Sequence, residues 1–256
     1  MRCLWITRQD PRPANSGELI YTTGLVDSLA SHLHLDLLAH SADSEDDSPD
    51  HWTLTSPIPA KRPVALLSSL PSDAHRLGNP SMRRALRALI SRHSYDWILI
   101  DQAACGWALN ELPTDNATRI AYLSHNHEAT VRAEVADDPA SSLPMRWLLR
   151  RDASRYAALE RDLCRRATLI TAITPRDRDA FQDEFPGKSY LVLPPGYKGR
   201  IPATAATITS STPRRVVLAG AFQWIAKRRN LESFLDAAND CFPSAKIDFL
   251  VAGKAE

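Results

Sequence analysis

ATLITAIT, at Ala167–Thr174, reads as a buried strand, and the segment after it, Pro175–Phe185, as a short helix. A second strand, Ser189–Leu193, runs into Pro194-Pro195-Gly196. A polar stretch follows, and Arg215–Ala219 (RVVLA) opens a further strand that ends at Gly220. One more helix and one more strand bring the chain to Glu256. Short apolar runs alternating with helical segments are the pattern of a parallel α/β sheet. Here one domain finishes and another begins, and two-domain α/β proteins place their ligand between the domains.

Upstream the same alternation holds. Apolar runs occur at Cys3–Thr7 (CLWIT), Leu35–Ala39 (LDLLA), Trp97–Ile100 (WILI) and Arg119–Leu123 (RIAYL), each bounded by polar or turn residues. Leu25, Leu29 and Leu33, with Val26 beside them, form one face of a helix after the first run. Met82, Leu86, Leu89 and Ile90 do the same within Ser81–Arg92. Strands apolar on both faces, separated by helices, predict a mainly parallel sheet covered on both sides. The expected fold class is α/β: a doubly wound, Rossmann-like parallel sheet over residues 1–197, then an incomplete second Rossmann-like domain over 214–256. Residues 198–213 have the Ser/Thr/Ala/Pro make-up of a linker. Asp43–Asp50 (DSEDDSPD) is expected as an exposed acidic loop and Pro57–Pro63 as an irregular connection.

The second domain is small. Covering a parallel sheet on both faces takes on the order of a hundred residues, and 43 follow Pro213. Its helix is well formed, with Leu231, Phe234, Leu235, Ala238 and Phe242 on one face. One βαβ unit leaves a sheet edge open. The favoured expectation is that the natural protein continues past Glu256; the other is that this unit packs on something else.

Composition narrows the function classes. Thirty-one Lys and Arg balance 30 Asp and Glu, for a net charge of +1, which gives no case for nucleic acid binding. Cys3, Cys105, Cys164 and Cys241 lie far apart, without the spacing of a zinc site or a disulfide framework. The N-terminus turns polar by Arg8 and lacks the apolar core of a signal peptide, and no later run reaches membrane-spanning length. The expected location is the cytoplasm.

Three segments carry candidate chemistry. Pro13-Ala14-Asn15-Ser16-Gly17-Glu18 follows the first strand and leads into a helix. Its backbone N–H groups could take an anion or a sugar hydroxyl, or Asn15 or Ser16 simply caps the helix. Ser124-His125-Asn126-His127-Glu128 follows the strand Arg119–Leu123, where an open α/β sheet binds ligands. These side chains suit hydrogen bonding to hydroxyls or proton transfer; the other reading is a polar loop or a helix cap. A metal is less attractive, since no third ligand has helpful spacing. Lys227-Arg228-Arg229-Asn230 opens the last helix, where cations are unfavourable for the helix itself. They serve a diphosphate or form a solvated basic turn.

Taken in order, these segments resemble the retaining family 4 glycosyltransferases of GT-B fold. Further carriers are Arg132, the long helix with Tyr156 and Glu160, Ala172-Ile173-Thr174 with Asp177, Leu193-Pro194-Pro195-Gly196, and Leu218–Gly220. The resemblance implies transfer of a sugar from a nucleotide-sugar donor to a carbohydrate, lipid-linked or small-molecule acceptor, with the anomeric configuration retained and no metal or other cofactor. It implies that His125 sits near the transferred sugar as the catalytic residue. Gly17, Lys227 and Arg229 would bind the donor, the two cations at its phosphates. Ser16, Asn126, Glu128, Thr174 and Asp177 would line the cleft on the acceptor side. The chain departs from the family at three places. Its Gly-Gly pair is Ser16-Gly17, Ala221 stands where many members have arginine, and the acidic E-x7-E segment is absent because the chain ends first. The resemblance therefore implies that these 256 residues alone lack full transferase activity.

Met145–Arg166 carries Trp147, Leu148 and Leu149 among seven arginines, with Arg83, Arg84 and Arg87 on another helix. Such a surface suits peripheral contact with anionic lipid at the inner face of the membrane. The alternative is an ordinary helix whose arginines are solvated or paired with Asp152, Glu160 and Asp162. Two other functions stay open: a nucleotide-sugar epimerase of the same fold, and a non-catalytic module binding a glycan or a partner. An NAD-dependent oxidoreductase lacks its glycine fingerprint here.

Overall fold

The computed structural model describes residues 1–41, 49–59, 68–114, 118–137, 139, 141–196, 203–204, 207–220, 222, 225–238, 242 and 246–253. The chain divides into two compact units, Met1–Tyr197 and Lys198–Glu256. Residues 42–48, most of the acidic loop, and 60–67 in the Pro57–Pro63 connection lie outside the described residues, as do Ala221 and Cys241.

The first unit is built on seven parallel strands: β1 (Arg2–Gln9), β2 (His34–His40), β3 (Trp52–Thr55), β4 (Trp97–Asp101), β5 (Arg119–Leu123), β6 (Leu169–Ala172) and β7 (Ser189–Val192). Their order is β3-β2-β1-β4-β5-β6-β7. The chain builds outward from β1 in one direction and then returns to build β4–β7 in the other, so the topological switch falls between β1 and β4. The helices are α1 (Gly17–Ala30), α2 (Ser72–Leu77), α3 (Pro80–Arg92), α4 (Glu128–Ala136), α5 (Leu143–Arg166) and α6 (Pro175–Glu184), with a 3-10 helix at Ala103–Asn110.

The pleat divides the core. Leu4 and Ile6 of β1 enter one cluster with Leu38, Ile98, Ile100, Trp107, Tyr122, Leu163 and Phe181. Cys3 and Trp5 enter the other, with Val26, Leu37, Leu99 and Leu123. Both faces of the central strands are therefore buried, which explains why they read as continuous apolar runs rather than alternating ones. Tight packing fixes the 3-10 helix: a Cβ on Gly78 would lie 2.5 Å from the Trp107 ring, and one on Gly106 2.9 Å from Leu163.

Three elements were not expected from the sequence. Strand β3 has four half-buried residues with no apolar run, α2 is only six residues long, and the 3-10 helix follows β4 where an α-helix is usual. Each is held by its neighbours rather than by its own periodicity.

The second unit pairs β8 (Arg215–Ala219) with β9 (Asp248–Ala252) in parallel around α7 (Ile225–Ala238). Phe234, Phe242 and Phe249 stack together with ring centroids 5.3–5.9 Å apart. Gly253, at φ +141°, would carry a Cβ 1.8 Å from the Gly220 carbonyl oxygen, so only glycine fits that close approach. Val217, Leu250 and Val251 stay exposed on this small sheet.

Candidate functional site

The carboxyl ends of β1, β4 and β5 bring the site together, at the switch point where open α/β sheets bind ligands. The β1–α1 loop is fixed first. Asp10 accepts the backbone N–H of Arg12 at 2.9 Å, the Arg12 guanidinium lies 4.0 Å over the Trp52 ring, and the Thr23 hydroxyl donates to the Pro11 carbonyl at 2.9 Å. Ser16 then caps α1, its Oγ accepting from the Leu19 N–H at 3.3 Å. A Cβ on Gly17 would meet nothing within 4 Å, so the protein itself does not demand glycine there.

At the end of β4 lies Asp101, fully buried. One carboxylate oxygen accepts from Thr22 Oγ1 at 2.8 Å and Trp5 Nε1 at 3.1 Å. The other lies 2.8 Å from Nε2 of His125, just past β5. Burial opposes the charge of Asp101, but His125 and the three hydrogen bonds outweigh it and hold the carboxyl below its usual value. Burial likewise opposes an imidazolium at His125, and the adjacent Asp101 prevails, raising the histidine above its ordinary value. Tyr21 packs edge-on to the His125 ring at 5.0 Å and donates its hydroxyl to the Leu193 carbonyl at 2.8 Å. With Nε2 engaged, Nδ1 is the ring atom left for a ligand.

The rest of the SHNHE tip is organised by Glu160 of α5. Its carboxylate accepts from the Tyr122 hydroxyl at 2.7 Å and from the backbone N–H groups of Glu128 (3.1 Å) and Ala129 (2.8 Å), the first turn of α4. Burial pushes this carboxyl up to about 7 against those three hydrogen bonds. Glu128 accepts from Arg132 Nε at 2.8 Å and, at 3.4 Å, from Asn126. The Arg132 guanidinium also lies 4.2 Å over the ring of Tyr156. His127 turns away, to Thr130 at 2.7 Å and against Phe181. Within β1, Arg8 reaches Glu18 at 3.5 Å.

Thr174 caps α6: its Oγ1 accepts the Asp177 N–H at 3.1 Å and donates to the Asp177 carboxylate at 2.7 Å. Lys227 and Arg229 lie in the other unit, near the start of α7, Lys227 exposed and Arg229 half-buried. The structure thus brings together Ser16, Gly17, His125, Asn126 and Glu128 at one end of the first sheet. Sequence reasoning missed Asp101, Thr22 and Tyr21. An acid closing the apolar run WILID at a strand's carboxyl end was the available signal for Asp101.

Part of the expected basic surface faces carboxylates or carbonyls. Arg83 and Arg87 both pair with Glu111. Arg150 binds Asp137, Arg161 faces Glu184, Arg165 faces Asp162, and Arg166 donates to the carbonyls of Leu109 and Pro113. Asp162 is one of the acids expected as arginine partners; Asp152 accepts the Ser72 N–H and Glu160 caps α4. Leu143, Met145 and Trp147 remain exposed at the start of α5. No described helix is long and apolar enough to cross a membrane. Among the described residues, no group of three or more His, Cys, Asp or Glu could hold a metal ion.

No family model matches the chain, and no curated protein matches it in sequence. Solved structures do match. The sucrose-phosphate synthase of Thermosynechococcus elongatus aligns with the whole chain and 71% of its own length, at 14% identity and TM-score 0.58. A protein assigned as a UDP-N-acetylglucosamine 2-epimerase from Listeria monocytogenes aligns with 98% of the chain and 61% of its own, at 10% identity and TM-score 0.51. UGT2 of Phytolacca americana, solved with UDP-2-fluoro-glucose and pterostilbene, aligns with 98% and 71%, at 12% identity and TM-score 0.50. At such identities the likeness concerns the fold: a mixed α/β architecture with a seven-stranded parallel sheet of the Rossmann-like GT-B type.

Proposed function

We propose that the protein transfers a sugar from a nucleotide-sugar donor to a hydroxylated acceptor, and that Met1–Tyr197 is its acceptor-binding part. The observation that carries this reading is the buried Asp101–His125 pair at the topological switch point. A histidine oriented by a buried carboxylate is a proton-transfer device, and the fold is shared with proteins whose names specify sugar or nucleotide-sugar chemistry. In this reading His125 is the catalytic residue and Gly17, Lys227 and Arg229 bind the donor. Ser16, Asn126, Glu128, Thr174 and Asp177 belong to the acceptor side of the cleft. The donor is the substrate, and no metal or cofactor is required, because Lys227, Arg229 and helix N-termini supply the charge that a departing diphosphate needs.

Retention of configuration, hexosyl transfer and membership of family 4 rest on the motif order in the sequence. The Asp101–His125 pair favours a second reading of the stereochemistry. A histidine that removes the acceptor proton as a neutral base promotes direct displacement at the anomeric carbon, which inverts it. A cytoplasmic protein touching the inner membrane face through Leu143, Met145 and Trp147 also belongs to the proposal, with the exposure of these side chains as its support. The epimerase alternative needs no acceptor.

The test is turnover of UDP-, GDP- and dTDP-sugars by the full-length gene product, with and without saccharide acceptors, with the anomer of the product read by proton NMR. Acceptor-dependent release of nucleoside diphosphate, reduced about 10²- to 10⁴-fold in His125→Ala, is the expected result. An epimerised nucleotide sugar formed without acceptor would replace this reading with the epimerase.

A further inference from the structure

Gln102 follows Asp101 directly, on the carboxyl side of β4 and beside the β1/β4 switch point. Its backbone sits at φ +73°, ψ 151°, a region essentially reserved for glycine and costly for any residue with a Cβ. The main chain does structural work there: its N–H donates to the Leu123 carbonyl at 2.9 Å, and its carbonyl accepts from the Cys105 N–H at 3.1 Å. Glycine would make both bonds without strain. Its side-chain Nε2 is buried without a hydrogen-bond partner. A strained backbone and an unpartnered amide nitrogen coincide at one residue, next in sequence to the carboxylate that holds His125.

We infer that Gln102 is a substrate-binding residue whose carboxamide hydrogen-bonds hydroxyls of a neutral, polyhydroxylated acceptor; this rests on the glycosyl-transfer reading above. A carboxamide is uncharged and offers both a donor and an acceptor, which matches vicinal sugar hydroxyls rather than an anion. The charges at the same end of the sheet agree. Arg8 faces Glu18 and Arg132 faces Glu128, so each cation has its carboxylate, leaving no excess positive charge from these pairs for a phosphate.

The experiment compares wild type, Gln102→Gly and Gln102→Ala by thermal melting and by proton–nitrogen NMR titration. The probes are glucose, mannose, N-acetylglucosamine and maltose, with glucose 6-phosphate as the charged comparison. Glycine removes both strain and amide, and alanine removes the amide alone. The expected result is a melting temperature about 2–4 °C higher for Gln102→Gly but not for Gln102→Ala. Both variants should bind the neutral saccharides about tenfold more weakly. Equal affinity in all three proteins overturns the role of Gln102 while leaving the carbohydrate reading intact. Binding of glucose 6-phosphate alone overturns the neutral acceptor, and a lower melting temperature for the glycine variant overturns the strain argument. Wild type that responds to no saccharide contradicts the carbohydrate reading itself, and this inference with it.

Discussion

Asp101 and His125 titrate against each other, and the sign of each effect fixes a pH window. The histidine is raised, so its contribution to stability is present below an unfolded value of about 6.5 and is lost as pH rises through its folded value. The aspartate is lowered, so its contribution is present above about 3.9 and is lost as pH falls through its folded value. The pair should therefore stabilise most between about pH 4 and 6.5. Asp101→Asn should drop the His125 midpoint, since burial then acts without its opposing charge; ring-proton NMR titration measures this, and an unchanged midpoint would refute the coupling. Activity separates two roles. A general base loses rate as pH falls through the His125 midpoint, whereas a cationic donor loses it as pH rises. The histidine was legible in the sequence because a polar cluster followed an apolar run. Asp101 looked like the last residue of a strand, and Gln102 gave no sign, because a backbone angle leaves no trace in residue type.

At the scale of elements, the strands and long helices were legible because burial on both faces imposes continuous apolar runs and one-sided stripes. The short elements were not, because β3 and α2 owe their shape to neighbours. The resemblance implies that Thr174 and Asp177 border the cleft; in the structure their side chains close the start of α6. Glu160 does the same for α4 from another helix, a long-range cap invisible to local spacing. Its raised carboxyl costs stability as pH climbs from about 4.5 to about 7, by on the order of 3 kcal/mol for such a shift. Glu160→Gln should thus improve relative to wild type as pH rises over that range, measured by urea denaturation at several pH values; a pH-independent difference would show that Glu160 stays charged. Gly78→Ala should cost about 1–3 kcal/mol, because its Cβ would strike the buried Trp107 ring, 2.5 Å away.

At the scale of the whole molecule, every residue of both hydrophobic clusters lies within Met1–Tyr197. A fragment of residues 1–197 should therefore fold cooperatively, with near-ultraviolet circular dichroism from buried Trp5 and Trp107; a fragment without it would mean that this core is incomplete. The two-part organisation was readable from the Pro-Pro-Gly break and the change in composition after it. The substrate was not, because specificity sits in turns and loops whose residue types are common to many surfaces. The most direct test of the central claim is the turnover of nucleotide sugars by the full-length gene product beside its His125→Ala variant. The account predicts nucleoside diphosphate release that depends on a saccharide acceptor and collapses in the variant. Acceptor-dependent release at an undiminished rate in His125→Ala would contradict it.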